Sequence, residues 1–141
     1  MSLVVGPTTD VAACAALRRA VFIDEQRVPA EVEQDGRDGA AHHILATLDG
    51  LPVGCARILT DGATGRIGRV CVLPGFRRQG IGTALIAACL DHMRGLPGLT
   101  RVELGAQTHA LGLYERLGFT AFGPEYADAG GQSHRMMGRA L

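Results

Sequence analysis

Six residues, Arg77-Arg78-Gln79-Gly80-Ile81-Gly82, combine two arginines with two glycines at the opening of a helix. Glycine carries no Cβ, so a ligand can lie close against the backbone at Gly80 and Gly82. The first N–H groups of a helix have no partner within it, and its dipole favours negative charge there. Arg77 or Arg78 would add charge, and the backbone amides of Gln79 to Thr83 would do the holding. The chemistry is therefore anion binding, and phosphate suits it. Two familiar phosphate loops do not fit. One needs Gly, four residues and Gly-Lys-Ser/Thr, and no lysine is placed that way. The other needs G-x-G-x-x-G, and Leu85 stands where its third glycine belongs. What remains is R-x-x-G-x-G, a pattern that an ordinary helix start in a surface turn also satisfies.

The elements around this loop can be read from spacing. Ile67 to Leu73 is a β-branched, apolar run with the character of a strand, and Pro74-Gly75 stops it. After the loop, Ile81, Leu85, Cys89 and Met93, with Ile86 and Leu90 beside them, form one buried helical stripe. Upstream, Leu3–Gly6 reads as a short strand. Thr8, Thr9 and Asp10 offer caps for a helix to about Ile23, with Cys14, Leu17 and Val21 on its inner face. An acidic loop to Asp38 follows, read for most of its charges as a solvated connector. His42–Leu48 and Pro52–Leu59 are strands joined at Asp49-Gly50. Alternation places His43, Leu45 and Thr47 on one face, and His42, Ile44, Ala46 and Leu48 on the other. Thr100–Ala106 is a further strand, and Thr108 is the expected cap of a short helix ending at Gly118. Phe119–Tyr126 and Ser133–Leu141 form a closing hairpin. The outcome is one α/β (α+β) domain with a mixed, mostly antiparallel sheet of about six or seven strands.

Composition narrows the function. The chain has 141 residues, enough for one domain with its own core, and its 14 basic and 14 acidic residues cancel. No basic run or aromatic stripe supports nucleic-acid binding. No apolar run approaches the roughly 20 residues that span a bilayer, and the N-terminus lacks the pattern of a signal peptide. The expected compartment is the cytosol. Cys14, Cys55, Cys71 and Cys89 form no C-x-x-C pair and read as buried small hydrophobes. His42 and His43 point to opposite faces of a strand, so no metal site is expected. Neither a repeat nor a linker is visible.

Further motifs accompany the loop. A strand ending Val-Leu-Pro precedes R-x-x-G-x-G, and Tyr114-Glu115-Arg116-Leu117-Gly118-Phe119 lies downstream. The chain also holds Val21-Phe22-Ile23-Asp24-Glu25-Gln26, an acidic segment, then Ala41-His42-His43. Together these resemble the GNAT-type N-acetyltransferases, in particular the ElaA and YjcF-type branch. The resemblance implies a single GNAT domain over residues 1–141, with helices on both faces of the sheet. It implies that Ile67–Leu73 and Arg101–Ala106 splay apart to admit acetyl-CoA as cosubstrate. The pyrophosphate would sit on Arg77, Arg78, Gln79, Gly80, Ile81, Gly82 and Thr83. The pantetheine arm would pair with the backbone of Val70, Cys71 and Val72, and the thioester carbonyl would meet an N–H near Cys71 or Val72. Tyr114 would donate to the departing sulfur. Many members carry Asn before the Tyr114 helix; here Gln107 offers an amide one methylene further out.

Direct transfer to an amine also needs a proton acceptor. An alkylamine has a reference pKa of about 10.4, so deprotonating it at pH 7 costs roughly 4–5 kcal/mol. Glu103, His43, Glu25 and His134 are the candidates, with Glu103 set beside Tyr114 as the catalytic pair. Glu25, Gln26, Arg27, His43 and His134 would border the acceptor. Cys71 has no base visibly paired with it, which argues against an acyl-cysteine intermediate. Three functions fit these residues. The first is acetyl transfer to a primary amine of a small molecule or peptide. The second is a non-catalytic acyl-CoA-binding or sensor domain, and the third is a partner-binding module without cofactor. Oligomeric state is open between monomer and homodimer.

Overall fold

The computed structural model describes residues 2–128 and 130–141. Its centre is a seven-stranded sheet in the order β1-β2-β3-β4-β5-β7-β6. The strands are β1 (Leu3–Thr8), β2 (His42–Leu48), β3 (Leu51–Asp61), β4 (Thr64–Val72), β5 (Arg101–Gln107), β6 (Thr120–Ala127) and β7 (Ser133–Ala140). Only β4 and β5 run parallel; every other neighbouring pair is antiparallel. The expected mixed, mostly antiparallel sheet is thus present, and Asp49 and Gly50 both take the positive φ that a two-residue hairpin turn demands.

Helices cover both faces. Helix α3 (Ile81–Arg94) buries Ile81, Leu85, Ile86, Cys89, Leu90 and Met93, the stripe legible in the sequence. It packs in one core cluster with Ile44, Ala46, Ile58 and Val102. On the opposite face α1 (Val11–Arg18) lays Cys14 and Leu17 against Cys55 and Cys71. Period-2 alternation in β2 serves both clusters, with Ile44 and Ala46 towards α3 and Leu45 towards α1.

Of the expected caps it is Asp10 that closes helix α1, its carboxylate accepting from Ala13 N at 3.0 Å, and the helix widens into a π-helical stretch over Arg19–Glu25. Two local expectations are corrected. Thr108 caps no helix: its hydroxyl donates to the Ser133 carbonyl, and α4 spans only Leu111–Arg116. The acidic loop is not a solvated connector. It contains α2 (Ala30–Glu33), and Glu33 is only 3% exposed. Arginines on α1 and β3 draw its carboxylates onto the sheet: Arg18 binds Glu33 at 2.5 Å and Asp38 through both terminal nitrogens, and Arg57 binds Asp35 in the same two-pronged way. Burying a guanidinium requires such partners, and the loop supplies them.

Candidate active site

The parallel pair β4–β5 keeps register from Thr64↔Arg101 to Ile67↔Leu104 and then parts, although both strands continue. The cause lies in β4. Arg57 faces Gly68 and Cys55 faces Cys71, so β4 spends three steps where β3 spends two. The additional residue makes a bulge, and Arg69 within it has φ +52°. Beyond the bulge the strands diverge and leave a cleft of about 1170 Å³. Gly68, Val70 and Val72 line one side of it, and Gly105 and Gln107 the other.

At one end of the cleft lies the glycine loop. Gly80, at φ +80°, precedes the first turn of α3, and no side chain caps that turn. A Cβ built on Gly80 or Gly82 meets no atom within 4 Å. Gly82 therefore has no packing reason to be glycine, which leaves close approach of a ligand as its reason. Arg78 and Thr83 line the same end, and Arg78 has no ion pair among the described residues. Uncapped amides, open space and an uncommitted cation fit a phosphate group. Arg77 is committed: its guanidinium holds both carboxylate oxygens of Glu25 at 2.6 and 2.7 Å and donates to the Val72 carbonyl at 2.9 Å. The Arg77 contact keeps the Glu25 carboxyl below the usual carboxylate range.

Tyr114 lines the cleft from α4 and packs edge-on against Phe119, ring centroids 6.2 Å apart. Burial raises its phenol above the ordinary value, with the Cys89 thiol adding to the effect. The hydroxyl therefore stays protonated at neutral pH and makes no hydrogen bond among the described residues. The far end of the cleft is built by two walls. One is the α1 extension and α2, contributing Gln26, Val28, Val32 and Glu33; the other is the β6–β7 hairpin, contributing Tyr126, Asp128, Gln132 and His134.

The sequence pattern of the acetyltransferase (GNAT) domain matches residues 7–139. The chain belongs to the GNAT acetyltransferase family. It is 34% identical over 122 residues to YjcF of Bacillus subtilis, named an uncharacterized N-acetyltransferase, covering 86% of each chain. It is similar to the crystal structure of ElaA from Escherichia coli, with TM-score 0.82, 31% identity and 98% of both chains covered. An acyl-CoA N-acyltransferase from Pseudomonas aeruginosa superposes with TM-score 0.83 at 33% identity over 99% of both chains. GNAT acetyltransferases use acetyl-CoA. A family member from Elizabethkingia anophelis, 16% identical with TM-score 0.75, has acetyl-CoA bound; at that identity it speaks for the fold alone.

Within this GNAT domain the residues singled out in the sequence separate clearly. Val70, Val72, Arg77, Arg78, Gly80, Ile81, Gly82, Thr83, Gln107 and Tyr114 all line the cleft, as do Glu25, Gln26 and His134. Gln79 is an exposed loop residue off the lining, and so is Arg27, at φ +62°. The Cys71 side chain turns away into the α1 cluster, with its sulfur 3.6 Å from that of Cys55; only its backbone is available to the cleft. Glu103 does not reach the cleft either. It sits on β5 before the strands part, engaged by Arg66 at 3.3 Å and Arg101 at 3.0 Å. His43 is 5% exposed on the α1 face, its Nε2 against the Asp38 carbonyl at 3.0 Å. Residues the sequence reading missed are Arg69, Glu33, Tyr126, Asp128 and Gln132. The Asp128-x-Gly130 turn was the one local signal among them, because Asp two residues before Gly favours a side-chain-closed turn.

Proposed function

We propose that this domain transfers an acetyl group from acetyl-CoA directly to a primary amine of a small molecule or peptide. The observation that carries the reading is the cleft itself: an uncapped helix start at one end, a tyrosine beside its middle and a polar chamber at the other. The pyrophosphate lies against the first-turn amides of α3, with Arg78 supplying charge. The edge of β4 freed beyond Ile67↔Leu104 gives the pantetheine amides backbone partners at Val70 to Val72. That places the thioester carbonyl beside a β4 N–H and the sulfur on the Tyr114 side. A thiolate, whose thiol has a reference pKa of about 8.5, is a weaker base than a phenolate, whose phenol has one of about 10, and burial widens the gap. Tyr114 thus stabilises the leaving thiolate by donating a hydrogen bond rather than by surrendering its proton.

Release of free CoA thiol against a panel of alkylamines and peptide amines tests this. The chain contains no lysine, so acetylation of its own side-chain amines cannot supply the signal. Amine-dependent release is expected. Acetyl-CoA binding without release would favour a sensor domain, and no binding would remove the cofactor altogether. Tyr114→Phe keeps the ring against Phe119 and removes one donor. Turnover should fall about 10²- to 10³-fold, with acetyl-CoA affinity and melting temperature preserved. Near-normal turnover in that variant would reduce Tyr114 to a packing residue.

A further inference from the structure

We infer that His134 is the general base of the transfer, with Asp128 as its positioning partner; the inference rests on the transferase reading above. Of the candidate bases, Glu103 lies outside the cleft, His43 is buried behind the sheet and Glu25 is locked by Arg77. His134 alone of the four lines the acceptor end without an arginine on it. Its side chain is 12% exposed.

Its surroundings fix which nitrogen works. Nδ1 lies 2.9 Å from the Gln132 carbonyl. A carbonyl only accepts, so Nδ1 carries the hydrogen and the neutral ring keeps its lone pair on Nε2. Nε2 is 3.6 Å from Asp128 Oδ2, a carboxylate ready to stabilise the imidazolium once it forms. Asp128 is held in turn: its Oδ1 accepts from Gly130 N and Gln132 N, both at 2.9 Å. The β6 face adds Tyr126, stacked on the ring with centroids 5.7 Å apart and its phenol raised by burial. From β5 the facing residue is the neutral Gln107, whose amide donates to Gln132. Asp128 is thus the charged group set against the ring. An oriented tautomer and a fixed carboxylate are the second and third members of a base constellation.

The proton balance is complete. An alkylammonium gives one proton to His134 Nε2, and the neutral amine nitrogen forms its bond to the thioester carbon. The C–S bond breaks, and the second N–H proton ends on the departing sulfur. His134 passes its proton to water. The sum is ammonium plus acetyl-CoA giving amide, CoA thiol and one proton.

The test compares His134→Gln and Asp128→Asn with the native protein, using methylamine, which is cationic at pH 7, and hydroxylamine, which is neutral there. His134→Gln should lose about 10²- to 10³-fold in kcat on methylamine, but less than tenfold on hydroxylamine. Asp128→Asn should show a smaller loss of the same kind, larger on methylamine than on hydroxylamine, because it removes the carboxylate set 3.6 Å from the nitrogen that takes the proton. Acetyl-CoA affinity by calorimetry should stay within twofold in both. Near-native turnover of methylamine in His134→Gln, or equal losses on both acceptors, overturns the assignment while leaving the transferase reading standing. A native protein that turns over neither these probes nor the amine panel overturns both.

Discussion

Gly82→Val separates a phosphate site from an ordinary helix start. A Cβ at Gly82 would meet no atom within 4 Å, and its backbone is not in the left-handed region. Valine is also a better helix residue than glycine by a few tenths of a kcal/mol. Folding stability should therefore hold or rise slightly. The added methyls stand in front of the first-turn amides of α3, where an anion would have to lie. Denying the pyrophosphate one charge-assisted hydrogen bond costs about 1.5–3 kcal/mol. At about 1.4 kcal/mol per tenfold, the Kd for acetyl-CoA should rise roughly 10- to 150-fold.

Calorimetric titration with acetyl-CoA, beside a thermal melt, gives both numbers. Acetyl-pantetheine, which has no pyrophosphate, is the control ligand, and its weaker affinity should be the same in native and variant protein. A folded Gly82→Val with native acetyl-CoA affinity would refute the anion-site reasoning outright. Loss of affinity for acetyl-pantetheine as well would place the damage in the cleft rather than at the phosphates.

Two further outcomes follow from the charges. Glu25→Gln releases Arg77 and removes a carboxylate beside the phosphate loop; the pair is more than a third exposed, so stability should change by less than about 1 kcal/mol. Acetyl-CoA affinity should rise severalfold at low salt and return towards native at high salt, and titrations at two ionic strengths decide it. Asp35 is held below the usual carboxylate range by Arg57, and Asp38 by Arg18. Their folded forms bind protons less readily than the unfolded chain, so this stabilisation is present above the unfolded value, about 3.9, and is lost as pH falls below it. The urea midpoint should drop steeply below pH about 4, and Asp35→Asn should be weaker at neutral pH but flatter in acid.

The α3 stripe and the glycine loop were legible because each is a local pattern: a 3.6-residue period, and glycines where the backbone must be open. The splay was foreseeable only through family resemblance, since the β4 bulge at Arg69 has no composition cue. The acidic loop misled for a physical reason. Glu33, Asp35 and Asp38 read as solvated when counted along the chain, because the arginines that bury them, Arg18 and Arg57, are supplied by α1 and β3. Glu103 misled in the same way: its position on β5 suggested the cleft, yet Arg66 lies directly opposite it in the parallel register. Such pairings are tertiary, and no local window contains both partners.

That same early segment ties the two ends of the cleft together. Arg18 on α1 holds Glu33 and Asp38, and Arg57 on β3 holds Asp35 and Asp38, which fixes where the α2 wall stands. Seven residues on from Arg18, at the end of the π-helical stretch, Glu25 grips Arg77 beside the phosphate loop. Arg77 in turn donates to the Val72 carbonyl, on the strand that lines the cleft. A shift of the α2 wall on binding an acceptor would therefore pull on Glu25, and through Arg77 on the donor loop and β4. One stretch of chain thus forms the α2 wall of the cleft and grips Arg77 beside the glycine loop, so substitutions there should alter the KM for acetyl-CoA together with that of the amine.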